Sequence, residues 1–405
     1  MTKTGITFYM HVHQPYRVRQ YSVFDTAFNH DYFDGHGSPQ DNEAIFKKVA
    51  EKSYRPMNKS LDKLLKRHPE FKFSISITGT FIEQAAMWAP DVLESFQRLV
   101  ATGRVEVVAE TYYHSLAFFY DRDEFERQVE SQIAKIKDTF GVKPTAFRNT
   151  ELAYNNDLAK WAEEFGFKAI IAEGWDPVLE WRSPNFVYRP DGTKKIGLLL
   201  KNYQLSDDIA FRFSNRGWSE WPLTADKFNQ WVQATPNEPL INLFMDYETF
   251  GEHQWEDTGI FDFFEEFVSR WLDDGKVFHT ITSAVKENEA VGELNIPQTI
   301  TWADSERDLS AWLGNKMQQE ALTYIYNMAD DILRTGDLEL ISDWRKLQTS
   351  DHFYYMSSKY WSDGDVHTYF SPYESPYDAF LYYLNAIRDL RFRLHSEHRI
   401  GGLNG

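Results

Sequence analysis

Apolar positions recur along the first two-thirds of the chain in two alternating rhythms. Short runs of strand-like composition fall at residues 6–11, 71–78, 105–108, 146–150, 169–172, 196–200 and 240–245. The run at 71–78 (FKFSISIT) alternates with period two, the signature of a pleated strand. Between these runs lie longer segments predicted to be helical. They are 42–67, a helix opened by Ala89-Pro90 and ended by Gly103, 123–140 closed by Gly141, and 156–165 stopped by Gly166. Strand and helix in steady alternation predict parallel βαβ units, closed into a barrel or spread as a doubly wound sheet.

After Gly292 the rhythm changes. Residues 305–348 carry helical periodicity, and 376–396 (PYDAFLYYLNAIRDLRFRLHS) form an amphipathic helix opened by Pro376. The expected organisation is a barrel unit at 1–290 and a helical C-terminal domain at 291–405, packed on the barrel and contributing to its cleft. The segment 172–222 is dense in Trp, Arg, Pro, Gly and Asp and reads as an ordered active-site loop.

Composition narrows the choices. The 405 residues include no cysteine, which excludes disulfides, thiolate metal sites and cysteine nucleophiles. A net charge of −18 argues against nucleic acid and anionic membranes as partners. The apolar runs break well before the length of a bilayer span, and MTKTGITFYMHVHQP lacks the pattern of a secretory signal, so a cytoplasmic location is expected. Aromatic residues reach 16%, with 22 Tyr, 13 Trp and 31 Phe. Aromatic faces suit the apolar C–H faces of sugars, although most such rings serve packing.

Ionisable residues gather just past the expected strand ends, the rim where barrel enzymes place their chemistry. The first strand ends in His11-Val12-His13-Gln14-Pro15. Two histidines at i, i+2 share a face and suit a metal, sugar hydroxyls or the barrel interior equally. The second strand leads to Glu83 and the third to Glu110-Thr111-Tyr112-Tyr113-His114; singly, each reads as ordinary loop. Glu151 follows Arg148 at a strand end, either as a rim carboxylate or as half of a structural ion pair. Asp246, Glu248, Glu252 and His253 crowd the end of the apolar strand 240–245. Like charges so close raise one another's pKa, as a general acid requires, and a cation site is the alternative. Glycoside cleavage takes two carboxyl groups, about 5–5.5 Å apart for retention and about 6.5–9.5 Å for inversion. Glu151 and Asp246, on different strands, could face each other across a barrel mouth.

At these residues the chain resembles glycoside hydrolase family 57, in its α-amylase-type branch. The matching stretches are 11–15, 103–114, 147–151, 246–253 and a fifth around Trp302 to Trp312, all in the family's order. The resemblance implies an incomplete (β/α)7 barrel followed by a helical domain, and a retaining mechanism with Glu151 as nucleophile and Asp246 as general acid/base. It implies His11, His13, Glu83 and Glu248 as sugar-binding residues. Gln14, His114, His253, Trp302 and Trp312 in the matched motifs are expected to join them, with Asp308 or Asp304 from the fifth. No cofactor or metal is expected. The implied activity is hydrolysis of α-1,4 bonds in starch- or glycogen-type glucans and maltooligosaccharides. The alternatives are a 4-α-glucanotransferase, a glycogen-branching enzyme, or a metal-dependent polysaccharide deacetylase or mannosidase-like enzyme using His11 and His13 as ligands.

Overall fold

The computed structural model describes residues 4–234, 237–359 and 371–401, without the side chains of 397–401. The expected chain start at 1–3, and the stretches 360–370 and 402–405 of the expected C-terminal domain, lie outside the described residues. The strands are β1 Gly5–Val12, β2 Phe73–Ile77, β3 Val105–Val108, β4 Ala146–Phe147, β5 Ala169–Glu173, β6 Arg189–Pro190, β7 Gly197–Lys201, β8 Leu240–Asp246, β9 Val277–His279 and β10 Glu293–Leu294.

Seven of these run parallel around a ring in the order β1-β2-β3-β4-β5-β7-β8, and β8 returns to pair with β1. Two seams are thin. A single bridge, Ala109 to Phe147, joins β3 to β4. The Asn202 N–H bonded to Asn242 O at 2.8 Å, with the Asn242 amide on Leu200 O at 2.9 Å, joins β7 to β8. This is the incomplete (β/α)7 barrel that the family resemblance implies. β9 pairs with the first half of β1, while β6 and β10 form a small separate ladder.

Because side chains alternate across a strand, each barrel strand splits into two sets. Ile6, Phe8, Met10 and Val12 of β1, with Ile241, Leu243 and Met245 of β8, face outward into a large apolar cluster against the helices. The opposite set includes Tyr9, Val108, Ala146, Ile171, Leu199 and Phe244, which pack together as a small inner core. Followed to the C-terminal ends, that inner set becomes His11, Glu110, Arg148, Glu173, Lys201 and Asp246. The barrel interior therefore changes from apolar to charged at the rim, and this layer is the floor of the site.

One expectation is refined and another corrected. The helix at 42–67 is interrupted by a π turn, Ala50–Tyr54, just ahead of Pro56. Proline supplies no N–H to the regular ladder, and the widened turn aims Tyr54 into the barrel mouth. The segment 172–222 is not a long irregular loop. It holds β7, helices Asp176–Leu179 and Tyr203–Asp207, and a π turn Asp208–Arg212. After residue 290 the helices Ser310–Leu313, Lys316–Tyr326, Ala329–Thr335, Leu338–Lys346, Ser350–Tyr355 and Pro376–Gly401 share one apolar cluster with the β4–β7 side of the barrel.

Candidate active site

The floor is a closed set of charges. The Arg148 guanidinium is fully buried, with Nη1 3.5 Å from Glu110 Oε2 and 3.2 Å from His11 Nε2. Glu110, equally buried, lies 3.2 Å from His11 Nε2 through one oxygen and 3.0 Å from His114 Nδ1 through the other. Burial alone would raise the Glu110 pKa, but His11, His114 and Arg148 hold it well below the usual carboxylate range. His11 and His114 then reach outward in opposite directions. His11 Nδ1 is 3.6 Å from Asp246, its register partner on β8, and His114 Nε2 is 3.2 Å from Glu151. One buried glutamate thus connects both expected catalytic carboxylates through one histidine each.

Glu151 sits where the chain leaves β4 for the short turn Thr150–Leu152, with a φ of 59°. A left-handed backbone at a glutamate is uncommon and marks a position the surroundings must enforce. They do so through three donors. His114 Nε2 and the Ser350 hydroxyl, at 3.2 and 3.0 Å, reach Oε1, and the Trp302 indole N–H reaches Oε2 at 2.9 Å. Burial raises the Glu151 pKa, yet the His114 bond and the charges of His114 and Arg148 leave it lowered. His114 is pushed up to about 9: burial works against its charge, and the carboxylates of Glu110 and Glu151 outweigh burial. It is an imidazolium that donates to both. Arg148 pairs with Glu110 rather than with Glu151, so the structural ion pair considered from sequence is not formed.

Asp246 is held more loosely. Its side chain is 40% exposed, and its nearest partner is His11. Burial raises its pKa, and His11, His253 and Arg148 bring it below the ordinary value. The crowding expected to raise a carboxyl acts instead on Glu248, two residues on. Burial, then the charge of Asp246, push Glu248 up to about 8. Tyr54, delivered by the π turn, donates its hydroxyl to Glu248. His253 is lowered by burial.

A cleft of about 740 Å³ opens above this floor. His11, His13, Gln14, His114, Glu151, Asp246, Glu248, His253, Trp302 and Trp312 all line it. His13 donates to the Asp351 carboxylate at 3.1 Å and takes the Thr78 hydroxyl at 2.9 Å. Burial and the neighbouring His114 cation push His13 down to about 4, so it is neutral, while Asp351 stays ionised. Gln14 is buried and donates to Tyr54 at 2.9 Å. Two expected residues are not brought to the cleft. The Glu83 carboxylate is taken by the hydroxyls of Tyr112 and Tyr16 at 2.7 and 3.3 Å. Asp308 is exposed and accepts the Ser310 N–H, and Asp304 takes the place at the cleft.

Sequence reasoning missed Ser350 and Asp351, which come from a helix that starts 199 residues beyond Glu151, and passed over Glu110 and Arg148 as participants. The last two had a signal: both occupy inner-parity positions that should be apolar in a closed barrel. Lys201 and Glu173 carry the same signal. Lys201 Nζ lies 3.7 Å from Glu173 and 3.0 Å from Asp207, and the Trp302 ring stands between Lys201 Nζ and the Arg148 guanidinium at 5.7 and 5.0 Å.

Two groupings could hold a metal by spacing: His11, Glu110 and His114, and His13, His114 and Asp351. The donor chemistry does not suit one. Arg148 already supplies the cation within 3.2–3.5 Å of the first group. In the second, both His114 nitrogens are already engaged by the Glu110 and Glu151 carboxylates.

A parallel barrel with two carboxylates at its rim, over a polar, aromatic-lined cleft, is an arrangement that suits a glycoside hydrolase. The chain belongs to glycosyl hydrolase family 57, whose model matches residues 7–297. A Methanocaldococcus jannaschii protein named "Putative alpha-amylase" is 44% identical over 96% of this chain and 84% of its own. Among solved structures, a GH57 branching enzyme from Thermococcus kodakaraensis superposes with a TM-score of 0.71 at 16% identity, over 97% of this chain and 90% of that one. A 4-alpha-glucanotransferase from Thermococcus litoralis gives 0.67 at 16% identity, over 87% of this chain and 56% of that one, so this chain spans little more than half its length. No helix among the described residues is long and apolar enough to cross a membrane.

Proposed function

We propose that this protein is a retaining α-glycosidase of α-1,4-glucans, with Glu151 as nucleophile and Asp246 as general acid/base. The observation that carries this reading is the clamp on Glu151. Three donors and a left-handed backbone fix one ionised carboxylate at the floor of a sugar-sized cleft. Fixing a nucleophile near its attack geometry removes orientational freedom from the barrier. Substrate binding at the cleft, by His13, Gln14 and Trp312 among others, and a place in intracellular storage-glucan metabolism belong to the same proposal.

The chemistry follows from the surroundings of each group. Glu151 attacks the anomeric carbon while a proton passes from Asp246 to the leaving glycosidic oxygen. A sugar filling the cleft takes water from the exposed part of Asp246, and burial is already the strongest upward influence on its pKa. The neighbouring Glu248 carries a proton near neutral pH, so the two carboxyl groups hold one proton between them. In the second half, Asp246 takes a proton from water or a sugar hydroxyl, which then displaces Glu151. Arg148 and the His114 imidazolium keep the departing Glu151 carboxylate stable.

Product analysis on maltoheptaose tests the proposal. Release of reducing ends with the α anomer retained is the expected result, seen by proton NMR within the first turnovers. Release of the β anomer would overturn the mechanism, and no turnover of any maltooligosaccharide would overturn the substrate.

A further inference from the structure

We infer that Phe211 and Trp255 form a stacking platform for the glucan segment that leaves, or arrives, on the acid/base side of the cleft. The inference rests on the glucan reading above and adds a subsite to it. Both rings line the cleft, yet Phe211 is 59% and Trp255 56% exposed. Most large aromatics in this chain are buried, so two bare rings inside a concave site are positions where a ligand gains by covering them.

The rings are held in place from beneath. Gln254, itself buried, donates to Ala210 O at 2.7 Å and accepts the Ser214 N–H at 3.1 Å. One side chain therefore ties the turn that carries Trp255 to the turn that carries Phe211. Gly251, with φ +108°, presses the first turn so close to Lys52 that a Cβ there would come within 1.8 Å of its carbonyl. The Trp255 indole N–H bonds Glu252 O at 3.1 Å, and Lys52 Nζ lies 5.3 Å from the ring. A platform fixed in this way binds without first ordering itself.

Position gives the side. The turn with Trp255 follows β8 and Asp246 in the chain, whereas Trp302 and Ser350 bond Glu151. The sugar protonated by Asp246 is the leaving one, so the platform serves that segment. The chemistry matches a pyranose: its C–H faces lie on the rings, and its hydroxyl rim meets Lys48 and Lys52, both ion-paired to Glu252. Holding a sugar there after the first half-reaction raises its local concentration against water, and transfer gains over hydrolysis.

The test compares wild type with Phe211→Ala, Trp255→Ala, Trp255→Phe and the double alanine variant. Substrates are maltoheptaose, with and without added maltotriose as acceptor, and α-maltosyl fluoride, whose leaving group has no ring to stack. The double variant should raise KM for maltoheptaose about tenfold and lower the share of products longer than the substrate, with a smaller loss on the fluoride. Trp255→Phe should recover most of the Trp255→Ala loss. Equal losses on both substrates, or an unchanged ratio of transfer to hydrolysis, would overturn the platform alone. A wild type that turns over neither substrate would overturn the glucan reading and the platform with it. Equal melting temperatures show that the variants fold.

Discussion

The surroundings of Glu151 and Asp246 differ as a clamp differs from a hinge. Glu151 has three donors, a strained backbone and 16% side-chain exposure; Asp246 has one histidine at 3.6 Å and 40%. The difference matches two tasks. A nucleophile must be in one place and ionised at the moment of attack. An acid/base must hold a proton, release it and take another, which needs room, solvent and a partner that buffers the charge. Both hang from Glu110 through one histidine each, so the floor sets the charge of both while leaving their freedom unequal.

Breaking the clamp at its centre should cost most. Glu151→Gln is expected to lower kcat on maltooligosaccharides by about 10⁴-fold or more while the circular dichroism spectrum stays native. Asp246→Asn should cost about 10²–10⁴-fold on a poor leaving group and less on a fluoride leaving group, which needs no proton. If both variants lost the same factor on both substrates, the division of roles would be wrong. Arg148→Met removes the buried cation that lowers Glu151 and Asp246 together. Both carboxyl pKa values should rise, moving the acid limb of the kcat/KM profile to higher pH. Stability should drop by about 3–5 kcal/mol, because Glu110 loses one of the buried partners that hold it ionised. Arg148→Lys should keep the limb near its original place.

Smaller changes sharpen the contrast. Ser350→Ala deletes one donor to an ionised acceptor, worth about 1.5–3 kcal/mol, and should lower kcat at least tenfold with little change in KM. Glu248→Gln keeps the bond to Tyr54 and removes the titrating proton. The folded pKa of Glu248, about 8, lies above its unfolded value, so wild-type stability falls as pH rises from about 4.5 to about 8. In Glu248→Gln that fall should disappear, and the basic limb of activity should move to lower pH. Thermal melts between pH 5 and 9 and a pH–rate profile check both.

Much of this was legible in the chain, for a physical reason. Seven strand ends carry polar residues where the alternation places them inside, His11 and Asp246 among them, while Glu151 follows in the turn just past β4. Local crowding drew attention to 246–253, and the raised carboxyl there is Glu248, because burial and the charge of Asp246 fall on it together. Asp351 and Ser350 were invisible: they sit in a helix with no strand end beside it, and only the shared core brings that helix over the barrel mouth. Glu83 and Asp308 failed for the opposite reason. Each lies in the right stretch, but hydroxyls of Tyr112 and Ser310 engage their carboxylates instead.

Whether Glu151 is the attacking carboxylate is decided by trapping the enzyme with 5-fluoro-α-D-glucosyl fluoride and mapping the modified peptide by mass spectrometry. One added fluoroglucosyl group is expected on Glu151, in the peptide around Phe147 to Leu152. A label on Glu248, Asp246 or any other residue would contradict it.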